Sequence, residues 1–199
     1  MDAMNTSEEI AACAARWVVE EGLGYGPAKQ RALKELGLPP RTALPDNALL
    51  EREVREYLAL FCAETQPAEL RALRHMALAW MERLAAFRPH LTGAVWQGTA
   101  TKLSDIHLQL FCDDSKSAEL ALINLGLEYD VGSTLGFRGE AVDVLSLAQV
   151  CDDLNLLVGI HLLIYDHDDL RGALKPDSSG RVQRGDLKAV QRLITEEAA

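Results

Sequence analysis

The sequence predicts an α+β protein, with a helical N-terminal half followed by a small mixed β-sheet core. Two observations carry this prediction. Between residues 7 and 88, apolar side chains recur at steps of three and four, the spacing that gives a helix one buried stripe. From Pro89 onward the pattern becomes short apolar runs separated by glycine and polar turns, which is the pattern of strands. At 199 residues, with 48% hydrophobic and 25% charged residues, the chain can bury a core in each part. We therefore expect a helical region of about four helices over residues 1–88 and an α/β core with a C-terminal helix over residues 89–199.

The first helix is predicted from Thr6, which with Glu9 makes a capping-box pattern, and it carries Ile10, Cys13, Ala14, Trp17 and Val18. Gly22, Gly24 and Gly26 end it. Pro27, as a first-turn residue, opens a second helix that stops at Gly37. Residues 38–45 read as a linker. Asp46 caps a third helix with Leu49, Leu50, Val54, Tyr57, Leu58 and Phe61 on its apolar face. A fourth starts near Thr65 and Pro67 and uses Leu70, Leu73, Ala77, Trp80, Leu84 and Phe87, a stripe best read as core packing.

Residues 91–99 and 106–112 read as strands joined by a polar turn at 100–104. A helix follows near 115–126, capped by Asp114 or Ser115. Further strands are expected at 129–135, 141–147 and 158–165, with a turn at 136–139. Residues 175–185 read as a polar loop, and a last helix starts at Asp186.

Net charge is −10, and most of it lies in the second part. Residues 1–90 carry 11 basic and 13 acidic side chains, and residues 91–199 carry 9 and 17. Such a chain repels phosphate backbones, so non-specific nucleic-acid binding is not expected. The four cysteines, Cys13, Cys62, Cys112 and Cys151, form no CxxC pair and read as small buried hydrophobes. No apolar run approaches the roughly 18 residues of a membrane span. The start, Met1-Asp2-Ala3-Met4-Asn5, lacks the basic and apolar regions of a secretory signal, so a cytoplasmic protein is expected.

The stretch that could carry chemistry is Gly98-Thr99-Ala100-Thr101-Lys102-Leu103-Ser104-Asp105-Ile106-His107-Leu108. A strand reaches a Gly-Thr pair, and the next strand opens with Ser-Asp-Ile-X-Leu. Alternate strand residues share a face, so positions 105 and 107 project together. Over roughly residues 67–165 this resembles the nucleotidyltransferase superfamily, in which an apolar strand ends in Gly-Ser or Gly-Gly and a following strand carries Asp-X-Asp or Asp-X-Glu. The resemblance implies phosphate contacts at Gly98, Thr99 and Ser104. It also implies a catalytic group of Asp105, His107 and Asp143, in which Asp105 and Asp143 hold Mg²⁺ or Mn²⁺ with an NTP.

Two departures weaken the implied activity. His107 replaces a carboxylate, and imidazole is a poor ligand for magnesium. The turn from Gly98 to Asp105 is also shorter than the family's. The expected function is thus a non-catalytic or degenerate nucleotidyltransferase-like binding or regulatory module. The alternative is an active metal-dependent enzyme moving a nucleoside monophosphate to a small molecule or protein. Expected partners are a nucleotide or other small molecule and a second copy joined through the helical half, with no membrane.

Other patterns carry less. Asp105, His107, Asp143 and His161 would suit a transition metal if the strands aligned, although strand histidines are more often simply hydrogen-bonded. Asp113-Asp114 and Asp166-His167-Asp168-Asp169 read as helix caps. There is no Gly-X-Ser-X-Gly elbow and no GxxxxGK[ST] loop.

Overall fold

The computed structural model describes residues 3–114, 116–176 and 180–197. The chain forms two compact units, Met1–Ala68 and Glu69–Ala199. Among the described residues there are eight α-helices and one six-stranded mixed sheet. No helix is long and apolar enough to cross a membrane.

The first unit is helical. It holds α1 (Ala3–Glu21), α2 (Tyr25–Glu35) and α3 (Asn47–Phe61). Helix α1 begins before the expected cap at Thr6, because Ala3 and Met4 are good helix formers and extend it upstream. Asp46 caps α3 as expected, its carboxylate accepting the Leu49 N–H at 2.7 Å. Ile10, Ala14, Ala28, Ala32, Leu33, Leu50 and Val54 form a core in which the alanines let helix backbones approach closely.

In the second unit, α4 (Gln66–Arg83) buries Leu70, Leu73, Ala77, Trp80 and Met81 in the same core as the sheet. The division between units therefore falls in the first turn of this helix, between Ala68 and Glu69, and not at Pro89. The change of local pattern at Pro89 marks a change of secondary structure within one packed unit.

The region expected as one strand over 91–99 is two elements. Strand β1 (His90–Thr92) ends at Gly93, and α5 (Gly93–Gln97) follows at once. Gly93 has φ +72°, a left-handed conformation that an extended strand cannot contain. The apolar run after it coils and buries Val95, and Gly98, also left-handed, ends the turn. Short apolar runs of this kind fit strand and helix equally well by pattern alone.

Strand β2 (Ile106–Cys112), α6 (Lys116–Asn124), β3 (Asp130–Leu135), β4 (Ala141–Cys151) and β5 (Leu156–Asp166) agree with expectation, with β4 and β5 longer than expected. Asp114 accepts the Lys116 N–H at the start of α6, and the other expected cap, Ser115, lies outside the described residues. A short α7 (Leu170–Ala173) follows β5. The expected polar loop contains β6 (Arg184–Asp186), and residues 177–179 of it lie outside the described part. Helix α8 (Leu187–Glu197) is capped by Asp186, which accepts the Ala189 N–H at 2.8 Å.

Strand order is β3-β4-β5-β2-β1-β6, with β2 and β5 parallel and every other pair antiparallel. Alternation splits each strand between two faces. Ile106, Leu108, Leu110, Leu145, Leu147, Ile160, Leu162 and Ile164 pack beneath residues of α4, α6 and α8. On the opposite face, Phe111, Val142 and Tyr165 pack with Leu170 and Ala173 around α7. The other end of that face carries the candidate site.

Candidate functional site

Asp105 directly precedes β2, and His107 is the first residue of β2 to turn away from the helices. The parallel register sets His107 beside His161 of β5, and the antiparallel register sets His161 beside Ser146 of β4. These four side chains therefore share the face opposite the helices. The two imidazoles lie with centroids 4.9 Å apart and planes tilted by 30°.

His161 is held at both nitrogens. Nδ1 lies 2.9 Å from the Ser146 Oγ, and Nε2 lies 3.2 Å from the Asp105 Oδ2. Asp105 is held a second time, its Oδ1 accepting the Gly159 N–H at 3.1 Å. The partly exposed Asp105 carboxyl is held below its ordinary range, first by the His161 hydrogen bond and further by the Gly159 amide. His107 is an exposed residue of β2, although neighbouring protein atoms crowd around its ring. The resulting desolvation, aided by His161, holds its imidazole below the ordinary value. Gly93 lies close by, where an added Cβ would meet the His107 Nδ1 at 3.8 Å.

The remaining expected site residues do not join this cluster. Asp143 pairs with Ile164, a residue of the helix-covered face, so it projects on the face opposite Asp105 and His107. It also lies several residues further along the sheet. Asp105 and Asp143 therefore cannot ligate one ion. The two-metal arrangement implied by the resemblance does not fit these residues, and neither does the four-residue transition-metal set. Among the described residues no three His, Cys, Asp or Glu side chains converge as a metal site.

Gly98 ends α5 and is not the glycine that follows a strand. Thr99 is 4% exposed, so its hydroxyl is not offered to a ligand. The Ser104 Oγ is used within the loop, accepting the Thr101 N–H at 3.0 Å. The acidic runs act as caps, with Asp166 accepting the Asp168 N–H at 2.9 Å. Burial pushes the Cys112 thiol up to about 11, consistent with an unreactive cysteine.

Sequence reasoning missed Ser146 and Gly159. Ser146 sits inside the apolar run Val144-Leu145-Ser146-Leu147, where a lone hydroxyl marks the opposite face. The Ser146–His161–Asp105 chain has the connectivity of a proton relay, but Ser146 lies mid-strand and is paired on both sides, with Asp130 and with His161. Its backbone is therefore engaged in the sheet and offers no free N–H to a developing oxyanion. The chain of hydrogen bonds clamps Asp105 and His161 and does not make a nucleophile. A cleft of about 230 Å³ lies on the helical side of the sheet, lined by Met76, Trp80, Arg83, Gln149 and Asp152, and shares no residue with the histidine cluster.

No protein-family model, curated protein or solved structure matches the chain.

Proposed function

We propose that the second unit is a degenerate nucleotidyltransferase-like core that binds a small anionic ligand, such as a nucleotide, at the histidine face without metal-dependent chemistry. One observation carries this reading. The strands present one carboxylate, Asp105, and two imidazoles, His107 and His161, where a two-metal enzyme needs two or three carboxylates. Asp105 is already committed to His161 and to the Gly159 amide.

Kinship with the superfamily draws support from Gly93. This glycine directly follows an apolar strand, opens a helix and lies beside His107, so Gly93-Ala94 fits the family's Gly-Ser place better than Gly98-Thr99 does. Ten residues separate Ala94 from Asp105, which removes the apparent shortness of the connection. His107, whose imidazole is held neutral by desolvation and by His161, can still donate a ring N–H to an anionic ligand.

The test is a thermal-shift series with ATP, GTP, CTP and UTP, each with and without Mg²⁺ or Mn²⁺. A nucleotide-induced shift that is independent of metal and lost in His107→Ala is the expected result. A shift that requires Mg²⁺, or release of pyrophosphate, would favour the active enzyme instead. Absence of any shift would overturn nucleotide binding.

A further inference from the structure

We propose that two copies of this chain pair through the free edge of β3, joining their sheets into one of twelve strands. Strand β3 ends the sheet, and all six of its residues are exposed. An edge strand offers a row of unpaired N–H and C=O groups, and natural edges are commonly blocked by lysine, proline, a bulge or a covering element. Asp130-Val131-Gly132-Ser133-Thr134-Leu135 has no lysine or proline, and its single charge lies at one end.

The occupant follows from the strand's own symmetry. An antiparallel pair related by a two-fold axis normal to the sheet keeps each residue on its own face, so only residues of like parity can meet across it. With Ser133 opposite Ser133 of the second copy, Val131 meets Leu135 and Gly132 meets Thr134. Both apolar side chains are strongly exposed in the single chain, Val131 at 60% and Leu135 at 74%, and they share one face. That face is the one beneath the helices, because Val131 pairs with the core residue Leu145. In this register Asp130 falls beyond the end of the partner strand, so no two like charges meet although the chain carries −10.

Helix α6 packs on this same face of the sheet and also carries unburied apolar side chains. Helix α6 buries Ala118 and Leu122 over this face of the sheet but leaves Leu120 and Ile123 each 56% exposed. These two are three positions apart and so form an outward apolar strip. The two-fold axis sets both copies of α6 on the same side of the joined sheet.

The mass of the full chain in solution, measured by light scattering or sedimentation, tests the proposal. The wild-type chain is expected to be a dimer. Val131→Lys with Leu135→Lys places like charges at both apolar pairs and is expected to give a monomer with unchanged far-UV circular dichroism and a melting temperature that no longer depends on protein concentration. Ser133→Cys is expected to form a reducible covalent dimer on mild oxidation, since directly opposite residues lie within disulfide reach. The wild-type chain, with its own four cysteines, is expected to form none under those conditions. A wild-type monomer, a dimer that survives the double lysine change, or a dimer that Ser133→Cys does not cross-link would each overturn the proposal.

Discussion

Gly159 approaches Asp105 so closely that a Cβ on it would lie 2.5 Å from the Asp105 Oδ1 and 2.8 Å from its Cγ. The same glycine donates its N–H to that oxygen. Only a residue without a side chain can do this here, so the position fixes where the carboxylate stands. Gly159→Ala is expected to displace Asp105, break its hydrogen bond to His161 and cost about 1–3 kcal/mol. Chemical denaturation would measure the loss, and NMR titration should show the Asp105 pKa rising as the carboxyl loses the His161 hydrogen bond and the Gly159 amide that hold it low. A variant as stable as the wild type with an unchanged Asp105 titration would mean that the clamp does not exist.

A second expectation separates the two aspartates. Asp143 is exposed and lies on the other face from the histidines, so Asp143→Asn is expected to change stability by no more than about 0.5 kcal/mol. It should leave any nucleotide or Mn²⁺ response unaltered. His107→Asp, in contrast, puts a second carboxylate beside Asp105 and is expected to create measurable Mn²⁺ binding by calorimetry. Equal effects of the two substitutions on Mn²⁺ binding would contradict the assignment of faces.

The parts of the fold that were legible in sequence are those set by local rules. Asp46 was readable as a cap and Gly22 as a helix end, and the three-four stripe through Trp80 gave α4 its buried face. The site was only half legible. Alternation shows that residues 105 and 107 share a face, and it shows the same for 159 and 161. It says nothing about which face of β5 meets which face of β2, because that depends on a parallel pairing across 54 residues. The face of Asp143 likewise depends on a pairing distant in sequence, the antiparallel one between β4 and β5. Its strand was placed correctly, but its face is fixed by pairing with Ile164. The misreading of residues 93–97 has a different cause, since one left-handed glycine decides whether Ala94-Val95-Trp96 extends or coils.

Acid should weaken the second unit through His107 and Asp105. The His107 imidazole is held below its ordinary 6.5, so as pH falls the unfolded chain takes up a proton first. Its contribution is therefore complete above 6.5 and declines as pH drops from there to the folded value. The Asp105 carboxyl is held below its ordinary 3.8, and its contribution is present above 3.8 and lost as pH falls through the folded value. The buried His90 is also held low by loss of water, and acts in the same direction as His107. Melting temperature should thus fall below pH 6.5, and His107→Gln should make that fall shallower without abolishing it. A melting temperature that rises on acidification across this range would refute the assignment.

Trp80 gives the most direct check on how α4 joins the sheet. Its side chain is 2% exposed within the second unit's core, and its indole N–H donates to the Gln149 Oε1 at 2.9 Å. The Arg83 guanidinium lies over the ring, 5.0 Å from its centroid. Truncation removes a large apolar group, leaves a cavity next to the existing cleft and strips Gln149 of its donor. Trp80→Ala is expected to cost about 3–5 kcal/mol in chemical denaturation. Trp80→Phe keeps most of the volume but loses the hydrogen bond and should cost less. Gln149→Leu keeps the ring in place but leaves the indole N–H without its acceptor, so its cost should be about 1–3 kcal/mol. A loss below about 1 kcal/mol for Trp80→Ala, the level of a surface substitution, would show that α4 does not pack on the sheet through this face.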